Sequence, residues 1–428
     1  MFFRGNSSMA HITPHDITLA NGLRVVICPD HSAPVANVTV MYRVGSHDEH
    51  HGKTGLAHLF EHLMFDNAAP GVEKQYDVLC TKAGGTNNAY TTFDYTTYHI
   101  DVPSHNVELG LWLESERMRT FRISEHALET QRSVVVEEIN QNVFNQPYGT
   151  WRKAQQEIAY THESSYSWDV YGSPDDVASV TMEDAKSFFL RFYNPSNAVL
   201  CVAGDVEVEQ CLSLVERHFG SITTTRTEIS RTRFDEGMAR RGTTHVVPDN
   251  VPLTAVFVSI HLAGFRNNDM IDAEIASSII GSGRSSVLYK HLVSDLRIAS
   301  GVGCFIDRRA HDSLLTIYAY AADETITADA LVDAITDALS RTTVSSSMLE
   351  IAVNKMKTSH AAELQKVSGV ADVVAWTTLF WNDPLYINSA LERYKTITTD
   401  QVQYIIDRVA SRGEQVRLDI VPLSTDRG

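Results

Sequence analysis

The stretch GKTGLAHLFEHLMF, residues 52–65, places two histidines and a glutamate within five positions of an otherwise apolar segment. Its apolar spacing predicts a helix over residues 56–65. On such a helix His58 and His62 project from the same face one turn apart, so two imidazole nitrogens can bind one zinc ion. Glu61 is offset around the helix from this pair, which places it to contact a metal-bound water rather than the metal.

Two interpretations of this segment remain open at this point. A histidine pair four residues apart also occurs by chance on solvated helix surfaces, where it binds nothing. The glutamate and the apolar surroundings favour a metal site, because burying a carboxylate with two imidazoles costs free energy unless a cation compensates. A catalytic zinc site also needs a third protein ligand and an open position for water.

Candidates for the third ligand lie in SVVVEEIN, residues 133–140. Adjacent residues on a helix point about 100° apart, so Glu137 and Glu138 cannot both face one metal ion. The apolar residues of this segment are spread around the helix, so periodicity does not choose between the two glutamates. Each of them, taken alone, is equally compatible with a solvated helix surface.

The composition is that of a globular protein. The chain has 428 residues, of which 43% are hydrophobic and 21% charged, and this length suggests two or more domains. A net charge of −17 argues against nucleic acid and anionic membranes as partners. The five cysteines are scattered without a CxxC pair, which favours thiols in a reducing compartment over a cysteine zinc site.

Targeting signals are absent from the sequence as it stands. No apolar run approaches the roughly 20 residues that span a bilayer. The beginning, MFFRGNSSMAHITPHD, lacks the apolar stretch of a signal peptide. We therefore expect a cytoplasmic protein, or one of the periplasm or an organelle matrix from which a targeting segment has been removed.

Around the motif, the sequence alternates between strand-like and helix-like segments. ITLANGLRVVICPD predicts a hairpin that turns at Asn-Gly, and the β-branched run VANVTVMYRV predicts the next strand. The alternation in YHIDV predicts a further strand. Two helices follow, with Ser104 and Ser124 as their predicted N-caps.

An internal repeat divides the chain. SVTMEDAKSFFLRFYNPSNAVLCVAGDV and TITTDQVQYIIDRVASRGEQVRLDIV each read as a threonine cap, an acidic first turn, a helix and a final strand. The interval from Thr181 to Thr398 equals that from Val199 to Val416. We expect an N-terminal zinc-binding catalytic domain, a Thr/Arg-rich linker and a homologous C-terminal domain without metal, at residues 1–222, 223–244 and 245–428.

Several stretches together resemble the pitrilysin family of zinc peptidases, and most of all its mitochondrial processing peptidase branch with bacterial relatives. HLFEH is the inverted zincin motif HxxEH. QRSVVVEEINQNVFNQPYG resembles the family's downstream helix, GGTNNAYTTFDYTTYHIDV the strand pair beside its metal site, and GSGRSSVLYKHLV a segment of its second half. The resemblance implies an α+β fold of two homologous α/β halves, each a mixed, mostly antiparallel sheet packed with helices.

The resemblance also assigns the site. The family's third ligand is the last residue of a QRxVVxxE-like run, which here is Glu138, so Glu137 becomes a surface residue. One zinc ion per chain would be held by His58, His62 and Glu138. The implied activity is that of a metalloendopeptidase, in which zinc supplies an activated water and Glu61 takes its proton and passes it to the leaving amine.

The implied substrate is a peptide or presequence-like segment bound in extended form. In the family such a peptide pairs with an exposed strand edge next to the metal. Asn88 and Ala89 match the Asn-Ala pair on that edge. Backbone pairing reads conformation more than side chains, so we expect broad specificity. On its own, Asn88 is also compatible with a turn residue after the preceding glycine pair.

The chain departs from the family in two places. Many relatives have a glutamate where this chain has Gln131. Active relatives often carry an Arg and a Tyr, seven apart, in the second half; here Val293 and Ser300 occupy those positions, and Arg297 is out of register. In processing peptidases two homologous subunits can divide the zinc motif and the Arg/Tyr pair. We therefore expect a heterodimer with a homologous subunit that supplies the pair, with a homodimer as the alternative.

Other interpretations compete with the peptidase. A non-catalytic structural subunit of a larger complex is the alternative function, although the intact HLFEH motif and Glu138 argue against it. A peptide-binding chamber without turnover is a third interpretation, and Glu61 argues against that one. A second histidine cluster, His47, His50 and His51, lacks helical ligand spacing, and we interpret it as a solvated loop near the site.

Overall fold

The computed structural model describes residues 12–67, 75–223, 229, 231, 234–267 and 269–423. The first eleven residues and parts of the predicted linker lie outside the described residues. The strands of the described part are β1 (His15–Thr18), β2 (Arg24–Pro29), β3 (Val35–Tyr42), β4 (Thr86–Thr91), β5 (Thr96–Pro103), β6 (Ala198–Gly204), β7 (Thr243–Asp249), β8 (Ala255–Ala263), β9 (Ala299–Asp307), β10 (Asp312–Ala321) and β11 (Gln415–Pro422). The helices are α1 (Leu56–Asp66), α2 (Tyr76–Lys82), α3 (Val107–Arg119), α4 (Glu125–Ile139), α5 (Trp151–Ala159), α6 (Pro174–Ala178), α7 (Met182–Phe192), α8 (Val208–Phe219), α9 (Asp269–Gly281), α10 (Ala328–Ser340), α11 (Ser346–Glu363), α12 (Val367–Trp381), α13 (Tyr386–Arg393) and α14 (Thr399–Ala410).

The strands form two sheets that share one topology. The first sheet has the order β1-β2-β6-β3-β5-β4 and the second the order β7-β11-β8-β10-β9. Without β1, the five strands of each half lie in the same order, with the last strand inserted beside the first. The inserted strand runs parallel to the first strand, and the other pairings are antiparallel. The predicted α+β fold of two homologous halves with mixed sheets is confirmed.

The internal repeat has a physical basis in two matching helix starts. Thr181 and Thr398 each accept a backbone N–H from the third residue of α7 and α14, and both form a capping box with that residue. Each helix is followed by the inserted strand of its sheet, β6 or β11. The repeated cap, helix and strand therefore occupy equivalent places in the two halves.

One of the two predicted serine caps is wrong. Ser124 caps α4 by accepting the N–H of Ala127 at 3.1 Å. Ser104 does not cap α3, because a short 3-10 turn comes between them and Asn106 holds the N-cap position. The Ser104 hydroxyl instead donates to Asp205 at 2.8 Å.

Each sheet is covered on one face by helices of its own half and on the other by a helix from the opposite half. Val374 and Ala375 of α12 join the buried cluster that includes Met41 and Cys201 of the first sheet. On the second sheet, the Trp151 ring of α5 stacks on Phe257 at 4.7 Å between centroids. This exchange buries apolar surface between the halves and ties them together. The boundaries at residues 222 and 245 stay predictions.

The composition led to two expectations, one about the cysteines and one about membrane-spanning segments. The five cysteines are free, and four of them are buried. Within the described ranges, no helix combines the length and apolar content that a membrane crossing requires.

Candidate metal centre

Helix α1 places the HLFEH motif against the core of the first half. Most of its apolar residues, among them Leu59 and Leu63, are buried in that core. His58 is only 7% exposed, while His62 and Glu61 are half-buried. The helix thus turns its polar residues toward a partly closed surface, as its periodicity predicts.

Helix α4 packs against α1 and brings Glu138 to the histidine pair. The Nε2 atoms of His58 and His62 lie 3.8 and 3.2 Å from the two carboxylate oxygens of Glu138. One ligand atom from each of the three residues lies within 4.8 Å of the other two. Glu137 points away, is exposed, and accepts a hydrogen bond from Gln141 at 2.9 Å. The structure therefore brings together the three residues predicted as ligands.

The electrostatics of the cluster favour uncharged imidazoles. Burial, reinforced by the neighbouring His62, lowers the pKa of His58 to about 3. Burial also lowers the pKa of His62, although the Glu138 carboxylate opposes this. An uncharged imidazole has the free lone pair that a metal ion needs.

Glu61 faces the edge strand of the first sheet. The Thr91 hydroxyl of β4 donates to its carboxylate at 2.6 Å. Burial raises the pKa of Glu61, and the hydrogen bond from Thr91 opposes that shift. Glu61 belongs to the same helical turn as the histidines but has a different partner, so it is not a member of the three-ligand cluster.

Strand β4 forms an edge of the first sheet and pairs only with β5 among the described strands. Asn88 is exposed on this strand, while Ala89 is buried against the core. The N–H of Ala89 donates to the side-chain oxygen of Asn88 at 3.0 Å. The predicted peptide-binding pair thus lies on an edge strand. There the Asn88 side chain accepts the hydrogen bond of the Ala89 N–H.

The loop before the motif differs from its prediction as a solvated segment. His50 and His51 are exposed as expected, but His47 is buried and its ring stacks on Tyr166 at 4.4 Å. The polar local sequence does not predict this burial, because the Tyr166 ring belongs to a loop that is distant in sequence. Among the described residues, the three-residue cluster on α1 and α4 is the one group with metal-ligand spacing.

Glu49 is a residue near the site that no sequence pattern indicated. It is 5% exposed, and its carboxylate accepts N–H groups of Gly55 and Ala57 at the start of α1, at 2.9 and 2.7 Å. The indole N–H of Trp168 donates to it at 3.0 Å. Burial raises the pKa of Glu49 to about 8, and the three donors oppose this shift. Glu49 therefore anchors the beginning of the helix that carries the motif.

Replacing Glu49 with methionine should destabilise the protein by about 3 kcal/mol. The substitution keeps the length of the side chain but leaves buried N–H groups without acceptors, each at a cost of about 1–3 kcal/mol. Denaturant unfolding measures the change, with Glu324→Met, at an exposed loop position, as the control. Equal stability of the two variants would contradict the anchoring role.

Among its described residues, the second half carries no equivalent metal centre. Helix α9 follows β8 as α1 follows β3, but its sequence DMIDAEIASSIIG contains no histidine. Val293 lies in a π-helical turn, and the Ser300 hydroxyl donates to the carbonyl of Ala321 at 3.0 Å. Neither side chain can act as the Arg/Tyr pair with whose positions the sequence aligns them.

The three clustered residues fit a zinc ion. Two imidazoles and one carboxylate form a His₂Glu set, which is one of the donor sets of catalytic zinc sites. The low pKa of His58 keeps its ring uncharged, and the Glu138 carboxylate is within reach of both rings. The side chain of Glu138 is 30% exposed, so the cluster is open to solvent on one side.

Comparisons with known proteins bear on the family of the chain. A family model described as Insulinase (Peptidase family M16) matches residues 24–164, and one described as Peptidase M16 inactive domain matches residues 179–356. The chain belongs to the M16 family of peptidases. The pitrilysin-family resemblance of the sequence is thereby confirmed.

Relatives of this M16 chain are named as proteases or peptidases. Zinc protease PqqE of Helicobacter pylori is 29% identical over 375 residues, which cover 86% of this chain and 84% of that protein. A probable mitochondrial-processing peptidase subunit beta of Arabidopsis thaliana is 26% identical over 318 residues, 71% of this chain and 59% of that protein. The crystal structure of a protease from Helicobacter pylori superposes with a TM-score of 0.89 at 27% identity, covering 96% of this chain and 100% of that one. The roles of single residues in this chain stay predictions.

Proposed function

We propose that this M16 chain is a zinc-dependent endopeptidase whose ligands are His58, His62 and Glu138 and whose general base is Glu61. The supporting observation is the convergence of the three ligands on one point, with Glu61 on the same helical turn. Names of relatives as zinc proteases support the same metal and reaction.

The chemistry that zinc supplies when bound is activation of water and polarisation of a peptide carbonyl. Glu61 takes the proton from the attacking water and gives it to the amine that leaves when the C–N bond breaks. The hydrogen bond from Thr91 holds the Glu61 carboxylate in one orientation during both transfers. Hydrolysis therefore returns Glu61 to its starting state.

We further propose that the substrate is a peptide in extended form that adds to the free edge of β4. Backbone pairing with an edge strand is a common mode of peptide recognition. Asn88 and Ala89 lie on this edge, and the substrate would displace the Asn88 side chain from the N–H of Ala89. The hydrogen bond from Thr91 to Glu61 links β4 to the proposed base. A peptide paired with β4 would therefore run past Glu61.

A partner subunit belongs to the proposal. Val293 and Ser300 leave this chain without the Arg/Tyr pair, and a homologous subunit would supply it. One relative is itself named as a subunit of a processing peptidase. Cleavage by the purified chain alone, as strong as with a homologous partner, would show that no partner is needed or that two copies of this chain suffice.

A cleavage assay with unstructured peptides tests the proposed function. Zinc-loaded protein should cleave internal peptide bonds, a chelator should abolish cleavage, and added zinc should restore it. The assay is run with the chain alone and with a co-purified homologous subunit. Protein that holds no zinc and cleaves nothing under either condition would contradict the proposal and favour a structural subunit instead.

A further inference from the structure

Tyr171 lies beside the metal centre on the loop between α5 and α6. Its ring meets the His58 ring edge-on, with centroids 4.9 Å apart and planes at 82°. Its hydroxyl accepts a hydrogen bond from Asn142 Nδ2 at 3.4 Å, and the same amide donates to Glu138 at 3.4 Å. The phenol therefore contacts the predicted ligand His58 directly and is linked to the predicted ligand Glu138 through Asn142.

The hydroxyl of Tyr171 can donate one further hydrogen bond. A phenol offers one O–H proton as well as acceptor lone pairs, and the contact with Asn142 uses only an acceptor. Among the described residues, the structure shows no hydrogen bond that this hydroxyl donates. Tyr171 is half-buried, so part of it stays open to solvent beside the metal centre.

The backbone at Tyr171 is held firmly on the start of α1. A Cβ atom at Gly55 would lie 2.4 Å from the Tyr171 carbonyl oxygen, and one at Gly172 would lie 2.2 Å from the Gly55 nitrogen. The N–H of Ser173 donates to the Thr54 hydroxyl at 3.0 Å. Only glycines allow this approach, and it places the phenol at a set position relative to the motif.

The anchoring at Glu49 extends to the same loop. The Trp168 indole, three residues before Tyr171, donates to the buried Glu49 carboxylate that also holds the first turn of α1. Loop and helix thus share one buried acceptor. A hydrogen-bond donor held in this way needs little rearrangement when charge develops on a substrate, which is the condition for strong transition-state stabilisation.

We propose that Tyr171 is a further catalytic residue, whose O–H donates a hydrogen bond to the oxygen of the peptide carbonyl under attack. The inference rests on the proposed peptidase function. Tyr171 keeps its proton throughout: the new C–O bond comes from water, the C–N bond breaks, and Glu61 carries the transferred proton. Tyr171 of the first half would then supply a hydroxyl donor that Ser300, in the second half, does not provide.

A structural role is the competing explanation, and the two make different predictions. If Tyr171 only supports His58 and Glu138, then losing its hydroxyl changes zinc affinity but not the turnover of zinc-loaded protein. If it donates to the substrate, turnover falls while zinc binding is unchanged. Tyr171→Phe separates the two, because it keeps the ring on His58 and removes only the hydroxyl.

Steady-state kinetics on zinc-loaded protein provide the first measurement. Tyr171→Phe should lower kcat by about 100-fold, in the range found when one such donor is removed, with KM and zinc content unchanged. Tyr404→Phe, on the exposed side of α14, is the matched control and should equal the wild type. The second measurement is inhibition by a phosphinic pseudopeptide, which mimics the tetrahedral state; its inhibition constant should rise by the same factor, while product-peptide affinity stays constant.

The outcomes distinguish this inference from the proposed function. An active wild type with an equally active Tyr171→Phe variant overturns the inference alone. A variant that loses zinc but keeps wild-type turnover per bound zinc also overturns it. A wild type that neither cleaves peptides nor binds the phosphinic compound, with or without a partner subunit, removes the proposed function and this inference with it.

Discussion

Glu61→Gln is expected to abolish peptide cleavage while zinc stays bound. Glutamine matches the shape of the side chain and can still accept the hydrogen bond from Thr91, so the local structure persists. It cannot take a proton from water. General acid–base catalysis contributes about 100- to 10,000-fold, and we expect a loss at the upper end because Glu61 acts in both proton transfers.

The measurement pairs turnover with zinc content on the same preparation. Elemental analysis should give equal zinc for wild type and variant, since Glu61 is not among the clustered ligands. Glu324→Gln, at an exposed position, is the control and should cleave normally. Zinc retained together with near-normal turnover would contradict the role of Glu61 as the base.

The second large effect concerns the two adjacent glutamates of α4. Glu138→Ala should weaken zinc binding by more than about 100-fold, because losing a direct ligand costs more than the roughly 10–100-fold lost with a hydrogen-bond partner behind a ligand. Glu137→Ala should leave zinc affinity unchanged, since its carboxylate is exposed and contacts Gln141. Competition with a chromophoric chelator measures both affinities.

This pair is a stringent test because the two variants differ by one position on the same helix. Both remove a negative charge and both insert the best helix former, so effects on net charge and helix stability are similar. Equal zinc affinities for the two variants would contradict the assignment of Glu138. A loss confined to Glu137→Ala would reverse the assignment of the two residues.

Local features of the chain were predictable from the sequence. The threonine caps of α7 and α14 and the helix over the HLFEH motif follow from residues within one or two turns of each other. The prediction at Ser104 failed because a short turn moved the helix start by a few residues and the serine hydroxyl donates to the distant Asp205 instead. Motifs of this kind depend on neighbours in sequence, which the sequence shows directly.

The sequence by itself determined that there are two similar halves, a helix with two histidines and a glutamate, and a choice between two candidate third ligands. The family resemblance then pointed to Glu138. The physical reason lies in the tertiary structure, because the packing of α4 against α1 brings Glu138, rather than Glu137, to the histidines. The anchoring role of Glu49 and the position of Tyr171 beside the histidines could not be predicted from the sequence either. Glu49 meets Trp168 across 119 positions of sequence, and no local pattern encodes a contact that exists only after distant segments have packed together.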